Sequence, residues 1–169
     1  EAFLYRETDF LDAGNLHAWR DLFTEDGTYW LPISPEQDDP LGHISIIYED
    51  KMMMAIRAEN FGHRLAASMQ YVVRSSHLLA NTRLLERSAD GKEVIVKSNF
   101  QAVIYYRTQS VYAGTCTHKL RREESDWRIV QKRVDLINWD ADHKFIVIDI
   151  WLERSTASSR GVGLDIRQL

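Results

Sequence analysis

Cysteine is almost missing from this chain. The single one, Cys116, excludes an intrachain disulfide and any zinc or iron–sulfur site built from several cysteines of this chain. It also fits a reducing compartment, so a cytoplasmic location is expected. Long apolar runs are missing as well. None approaches the roughly 20 residues needed to cross a bilayer, and the longest, Phe145 to Ile150, is broken by Asp149. The sequence begins Glu-Ala-Phe, without a basic-then-apolar pattern, so no secretory signal is expected there. There is no excess of basic charge: 21 Lys and Arg stand against 25 Asp and Glu, a net charge of −4. Neither a nucleic-acid nor a membrane partner is expected from that balance. Short motifs are lacking too: no GxGxxG, no P-loop and no GxSxG. The six histidines (His17, His43, His63, His77, His118, His143) form no HxH, HxxxH or HExxH, and no metal site is expected from them.

What is present is enough apolar residue, 44% of 169, for one compact core. No repeat or linker divides the chain. One domain is expected over 1–150, followed by a C-terminal extension, 151–169, with enough apolar content to pack at an interface. The period of the apolar residues predicts helices first and strands afterwards, an α+β arrangement. A first helix is predicted over Ala2 to Ala13 and ends at Gly14. Asn15 then caps a second, whose stripe is Leu16, Trp19 and Phe23. Asp26-Gly27 reads as a turn into a short strand, Thr28 to Leu31, stopped by Pro32. The acidic, proline-bearing stretch Ser34 to Gly42 reads as exposed loop, and a third helix is predicted from Glu49 to Asn60. From Tyr71 the period becomes two. Four strands are predicted, at Tyr71–Arg87, Glu93–Arg107, Val111–Arg122 and Trp127–Trp139, with an Asp-Gly hairpin in Ser88 to Lys92. Four long strands joined by tight turns make an antiparallel meander. Wrapped by three helices, a curved sheet of that kind forms a cone with an open mouth, a place where ligands often bind.

His77 is the residue on which a functional reading turns. Alternation puts it on one face with Val73, Leu79 and Asn81, while Arg74, Ser76 and Leu78 take the other. An imidazole on such an apolar face is either a core residue with its hydrogen bonds satisfied or a general acid–base. In the second case Asp26 would orient it, and Tyr29 and Tyr105 would bind a carbonyl or hydroxyl oxygen. Asp26 has an ordinary alternative as a turn residue before glycine. Cys116 in a strand reads as a small core residue, and Met52 to Met54 as helix packing.

Several stretches, in order, resemble the small (β) subunit of Rieske-type aromatic-ring-hydroxylating dioxygenases. They are "LDAGNLHAWRDLFTEDGTYWLPI" from Leu11, "ISIIYEDKMMMAIRAE" from Ile44, "RSSHLLANTRL" from Arg74 and "DWRIVQKRVDLINWDA" from Asp126. The chain departs from the family's pattern in "AASMQYVV", where prolines are common, and in its long tail. The resemblance implies a nuclear-transport-factor-2-like cone of the scytalone dehydratase kind. It also implies an assembly role beside a catalytic α subunit that dihydroxylates an aromatic compound, in an α3β3 complex with the β subunits as a trimer. The [2Fe–2S] Rieske cluster and the mononuclear iron would then lie in the α subunit, with no catalytic residue, cofactor or metal in this chain. One cysteine cannot hold a Rieske cluster. Two other readings of the same cone stay open: a stand-alone dehydratase or isomerase using His77 with Asp26, and a non-catalytic small-ligand carrier.

Overall fold

A computed structural model describes residues 1–67, 73–106 and 108–141, without the side chains of 62–67. The first helix, α1 (Ala2–Asp12), buries Leu4, Glu7 and Leu11 along one stripe. Their spacing of three and four residues keeps them on one helical face. Gly14 follows with φ +67°, a left-handed conformation that a side chain would strain. Asn15 caps α2 (Leu16–Arg20) as predicted, its Oδ1 accepting from the Ala18 amide at 3.1 Å.

The second helix is shorter than its apolar stripe suggests. Phe23 opens a strand, β1 (Phe23–Leu31), yet it stays buried edge-on to Trp19, with ring centroids 5.0 Å apart. Asp26-Gly27 is a correction. It lies inside β1, at an irregularity between Phe23 and Thr28 in the pairing with the last strand. A Cβ on Gly27 would stand 2.8 Å from the Ile129 carbonyl oxygen, so the bulge brings two backbones too close for a side chain. A second correction concerns Glu49 and Asp50, which end a short strand, β2 (Ile47–Asp50), rather than begin the third helix. Tyr48 pairs across from Trp30 there, and the Asp50 carboxylate accepts from the Met53 amide at 2.8 Å. Helix α3 (Lys51–Ala67) therefore starts two residues later than predicted, and it runs past Gly62.

The meander follows with β3 (Arg74–Arg87), β4 (Glu93–Tyr106), β5 (Thr108–Glu123) and β6 (Asp126–Leu136). The expected strand ends at Tyr71 and Arg107, and the 151–169 extension, lie outside the described residues. In the Asp-Gly hairpin, Gly91 has φ +70° and the Ser88 hydroxyl meets Asp90 Oδ1 at 2.6 Å. Strand order is β2-β1-β6-β5-β4-β3. The three pairings of the meander are antiparallel as predicted, β1 with β2 is antiparallel too, and β1 with β6 is parallel. That parallel pair lets the hairpin of β1 and β2 close one side of the meander. On β4 Val94, Ser98, Phe100, Ala102 and Ile104 are buried, as on a strand with one covered face, while Val96 is half-buried and Tyr106 exposed. Trp19, Phe23, Tyr29, Leu31, Met54 and Ile129 fill the space between helices and sheet, and burying each such side chain contributes roughly 1.5–3 kcal/mol.

Candidate functional site

The helix-facing side of the sheet carries a buried ionic cluster that matches no short sequence motif. Tyr29, Lys132 and His118 stand side by side on β1, β6 and β5. Glu7 comes down on them from α1. Its Oε1 lies 2.9 Å from Lys132 Nζ, its Oε2 accepts from His118 Nε2 at 2.9 Å, and Trp19 Nε1 donates to Oε1 at 3.1 Å. The side chains of Glu7, His118 and Lys132 are all buried. Burial alone pushes the Glu7 carboxyl up, but Lys132 and His118 outweigh it, and the group lies well below the usual carboxylate range. Glu7 is thus a locked anion. Near neutral pH it neither gives nor takes a proton, which makes it a poor acid–base catalyst.

Next to this cluster stands His77. Its side chain is only 4% exposed, on the face that alternation assigned. Its Nδ1 lies 2.5 Å from Asp12 Oδ1, and its backbone amide donates to Asp12 Oδ2 at 3.0 Å. One carboxylate at the end of α1 therefore grips both the ring and the backbone of β3. Alternation holds from Val73 to Ala80 and then breaks at Asn81, which has φ +53° and lies in a bulge.

The residues that sequence alone grouped with His77 are not brought together. Asp26 is 64% exposed and pairs with Arg121 Nη1 at 3.3 Å. Arg121 stands opposite Glu93 on β4, whereas His77 stands opposite Ala102. Nine residues of strand separate those two levels, about 30 Å at the usual rise. A hydrogen bond from Thr24, helped by Arg121 and opposed by slight burial, lowers the Asp26 pKa. Tyr29 is buried, edge-on to Trp19 with Lys132 Nζ 5.7 Å from its ring centre. Tyr105 is on the surface, under the Arg74 guanidinium at 4.7 Å. The acid–base pairing of His77 with Asp26 is therefore corrected: the carboxylate on His77 is Asp12.

Glu7, Leu11, His77, Phe100, His118 and Lys132 are among the residues lining a narrow cleft with room for about one water molecule. Among the described residues no group of three or more His, Cys, Asp or Glu side chains could hold a metal ion. No helix there is long and apolar enough to cross a membrane. The signal for the cluster was legible in the sequence. Glu7 sits between Leu4 and Leu11, His118 between Cys116 and Leu120, and Lys132 before Val134 and Leu136. Each is a polar residue on an apolar stripe, and Asp12 alone lacks such a signal.

The sequence model described as ring hydroxylating beta subunit matches residues 6–140. The chain belongs to that family. The small oxygenase component of the p-cumate 2,3-dioxygenase system of Pseudomonas putida is 33% identical over 142 residues, 79% of this chain and 74% of its own. The small subunit of 2-halobenzoate 1,2-dioxygenase from Burkholderia cepacia is 28% identical over 156 residues, 89% of this chain and 92% of its own. Among solved structures, the beta subunit of benzoate 1,2-dioxygenase from Burkholderia mallei superposes with a TM-score of 0.72 at 30% identity. It covers 88% of this chain and 93% of its own. As a ring-hydroxylating β subunit the chain has the fold its sequence led one to expect, helices on a curved open sheet.

Proposed function

We propose that this chain is the assembly subunit of an aromatic-ring-hydroxylating dioxygenase, supporting a large catalytic partner and supplying no group to the chemistry. The observation that carries the reading is the family match across residues 6–140, which takes in all nine described elements except the first residues of α1. Two further observations support it. The carboxylates that α1 sends to the sheet are already engaged, the buried Glu7 by Lys132, His118 and Trp19, and the more exposed Asp12 by His77. The cleft beside them has room for about one water molecule, not an aromatic ring.

In this reading the [2Fe–2S] Rieske cluster and the mononuclear iron belong to the large α subunit, and the two chains assemble as α3β3 in the cytoplasm with the β subunits as a trimer. The chain forms one domain to about residue 150, and 151–169 packs at an interface. The relatives named above are called after p-cumate, 2-halobenzoate and benzoate, which favours an aromatic carboxylate as the partner's substrate. The test is co-expression with the large subunit from the same gene neighbourhood, followed by native mass measurement. A stable complex with equal numbers of both chains is the expected result. A chain that stays apart from every such partner would contradict it.

A further inference from the structure

The segment between β1 and β2, residues 32–46, is an ordered loop with an unusual surface. Gln37 organises it: its Oε1 accepts from the Ile33 amide at 2.9 Å, and its Nε2 donates to the Asp39 carbonyl at 3.2 Å and the Ser45 hydroxyl at 3.1 Å. Arg133 on β6 donates to the carbonyls of Pro35 and Gln37 at 2.8 and 2.7 Å and lies 4.5 Å over the Trp30 ring. The loop is thus pinned over the outer side of β1 and β6. Even so, Leu41 and Ile44 are 80% and 83% exposed. Around them stand Glu36, Asp38 and Asp39, with no lysine or arginine from Pro32 to Ser45. A rigid, apolar knob with an acidic rim has little ordering entropy left to lose on binding.

The opposite edge of the sheet has the complementary character. Strand β3 is the far edge, five strands from β2. In its second half Leu84 and Leu85 are 58% and 51% exposed, although adjacent residues of a strand point to opposite faces. Among the described residues neither face is covered there. Arg83 and Arg87 flank them, and Arg83 stands directly opposite Lys97 on β4. Like charges placed so are unfavourable until an anion joins them. Among the described residues none of these three cations has an ion-pair partner. Bulges at Ala80–Arg83 and Leu84–Glu86 disturb the edge, so a neighbour engages side chains there rather than adding a strand.

We infer that the acidic loop of one copy, through Leu41, Ile44, Glu36 and Asp38, docks on the basic β3 edge of the next copy, at Arg83, Leu84, Leu85 and Arg87. Two different patches on opposite edges make a head-to-tail contact, which closes into a ring when the rotation allows. The inference rests on the assembly reading above and names the surfaces that serve it.

Charge exchange tests it, with the full-length chain measured by sedimentation and native mass, alone and with its large subunit. Glu36→Lys with Asp38→Lys should break the ring, and so should Arg83→Glu with Arg87→Glu. Each should weaken self-association at least tenfold. All four substitutions in one chain should restore the ring, and this rescue separates a lost contact from a misfolded chain. A ring that tolerates both reversals, or reversals that the fourfold exchange does not rescue, overturns the inference and leaves the assembly role standing. So does a chain that stays monomeric alone but still binds the large subunit. A wild-type chain that forms neither ring nor complex overturns both.

Discussion

Glu7 shows what a single residue can do when it is taken out of water. A carboxylate buried beside Lys132 and His118 is tolerable only because both partners are present. Glu7→Ala leaves two buried groups without their anion, and a loss of about 3–5 kcal/mol is expected in denaturant unfolding. The pH dependence has a definite sign. The folded-state pKa of Glu7 lies below its ordinary value near 4.5, so its contribution is complete above that value. It disappears as pH falls through the folded-state pKa. Stability measured between pH 6 and 3 should therefore drop more steeply for the wild type than for Glu7→Gln, in which nothing is left to protonate there. A parallel fall in the two proteins would count against the cluster. His77 belongs at this scale too. Taken alone, "RSSHLLAN" suggests a catalytic base, but the ring faces a carboxylate that also holds its own backbone. Such a residue fastens α1 to β3.

The elements were largely legible, and the exceptions have physical causes. Alternation in β4 to β6 and the Asp-Gly hairpin were plain because one face of each strand is buried and the other is wet. Strand β2 was missed because four residues carry too little period, and because Glu49 and Asp50 look like helix-start residues. In fact Glu49 turns inward to an ion pair with Arg57. The Gly27 bulge was hidden because Asp-Gly more often marks a turn. Spacing along one chain could not show which carboxylate meets His77, since Asp12 is 65 residues away. Two predictions belong to this scale. Gly114 has a Cβ position only 2.0 Å from the Asp135 carbonyl oxygen, so Gly114→Ala must push β5 from β6. It should cost about 1–3 kcal/mol or more, seen as a lowered unfolding midpoint. Gln37→Ala removes the acceptor of the Ile33 amide and loosens the 32–46 loop. A cost of roughly 1–3 kcal/mol is expected if that amide stays dry. Faster amide hydrogen exchange confined to the loop would be its signature, and unchanged exchange would show that Gln37 does not organise it.

At the scale of the whole molecule, the chain spends its buried polar chemistry on holding helices to a sheet. Glu7 and Asp12 both project from α1, and each is received by a histidine of the sheet, His118 on β5 and His77 on β3. Exposed apolar residues are instead spread over the surface: on the loop at one edge (Leu41, Ile44), on β3 at the other (Leu78, Leu84, Leu85), on α3 (Met52, Met53, Ile56) and after β6 (Ile137). That distribution suits a part whose work is done at its surface, among other subunits. The central claim is that this β subunit supports ring hydroxylation without taking part in it. The most direct measurement is turnover per assembled complex, with His77→Ala or Asp26→Asn in this chain and an unaltered large subunit. Complexes of full mass should hydroxylate the ring at the wild-type rate, even where His77→Ala lowers the yield of complex. A hundredfold or greater loss of rate in a fully assembled complex, the size expected for removing an acid–base group, would contradict the account.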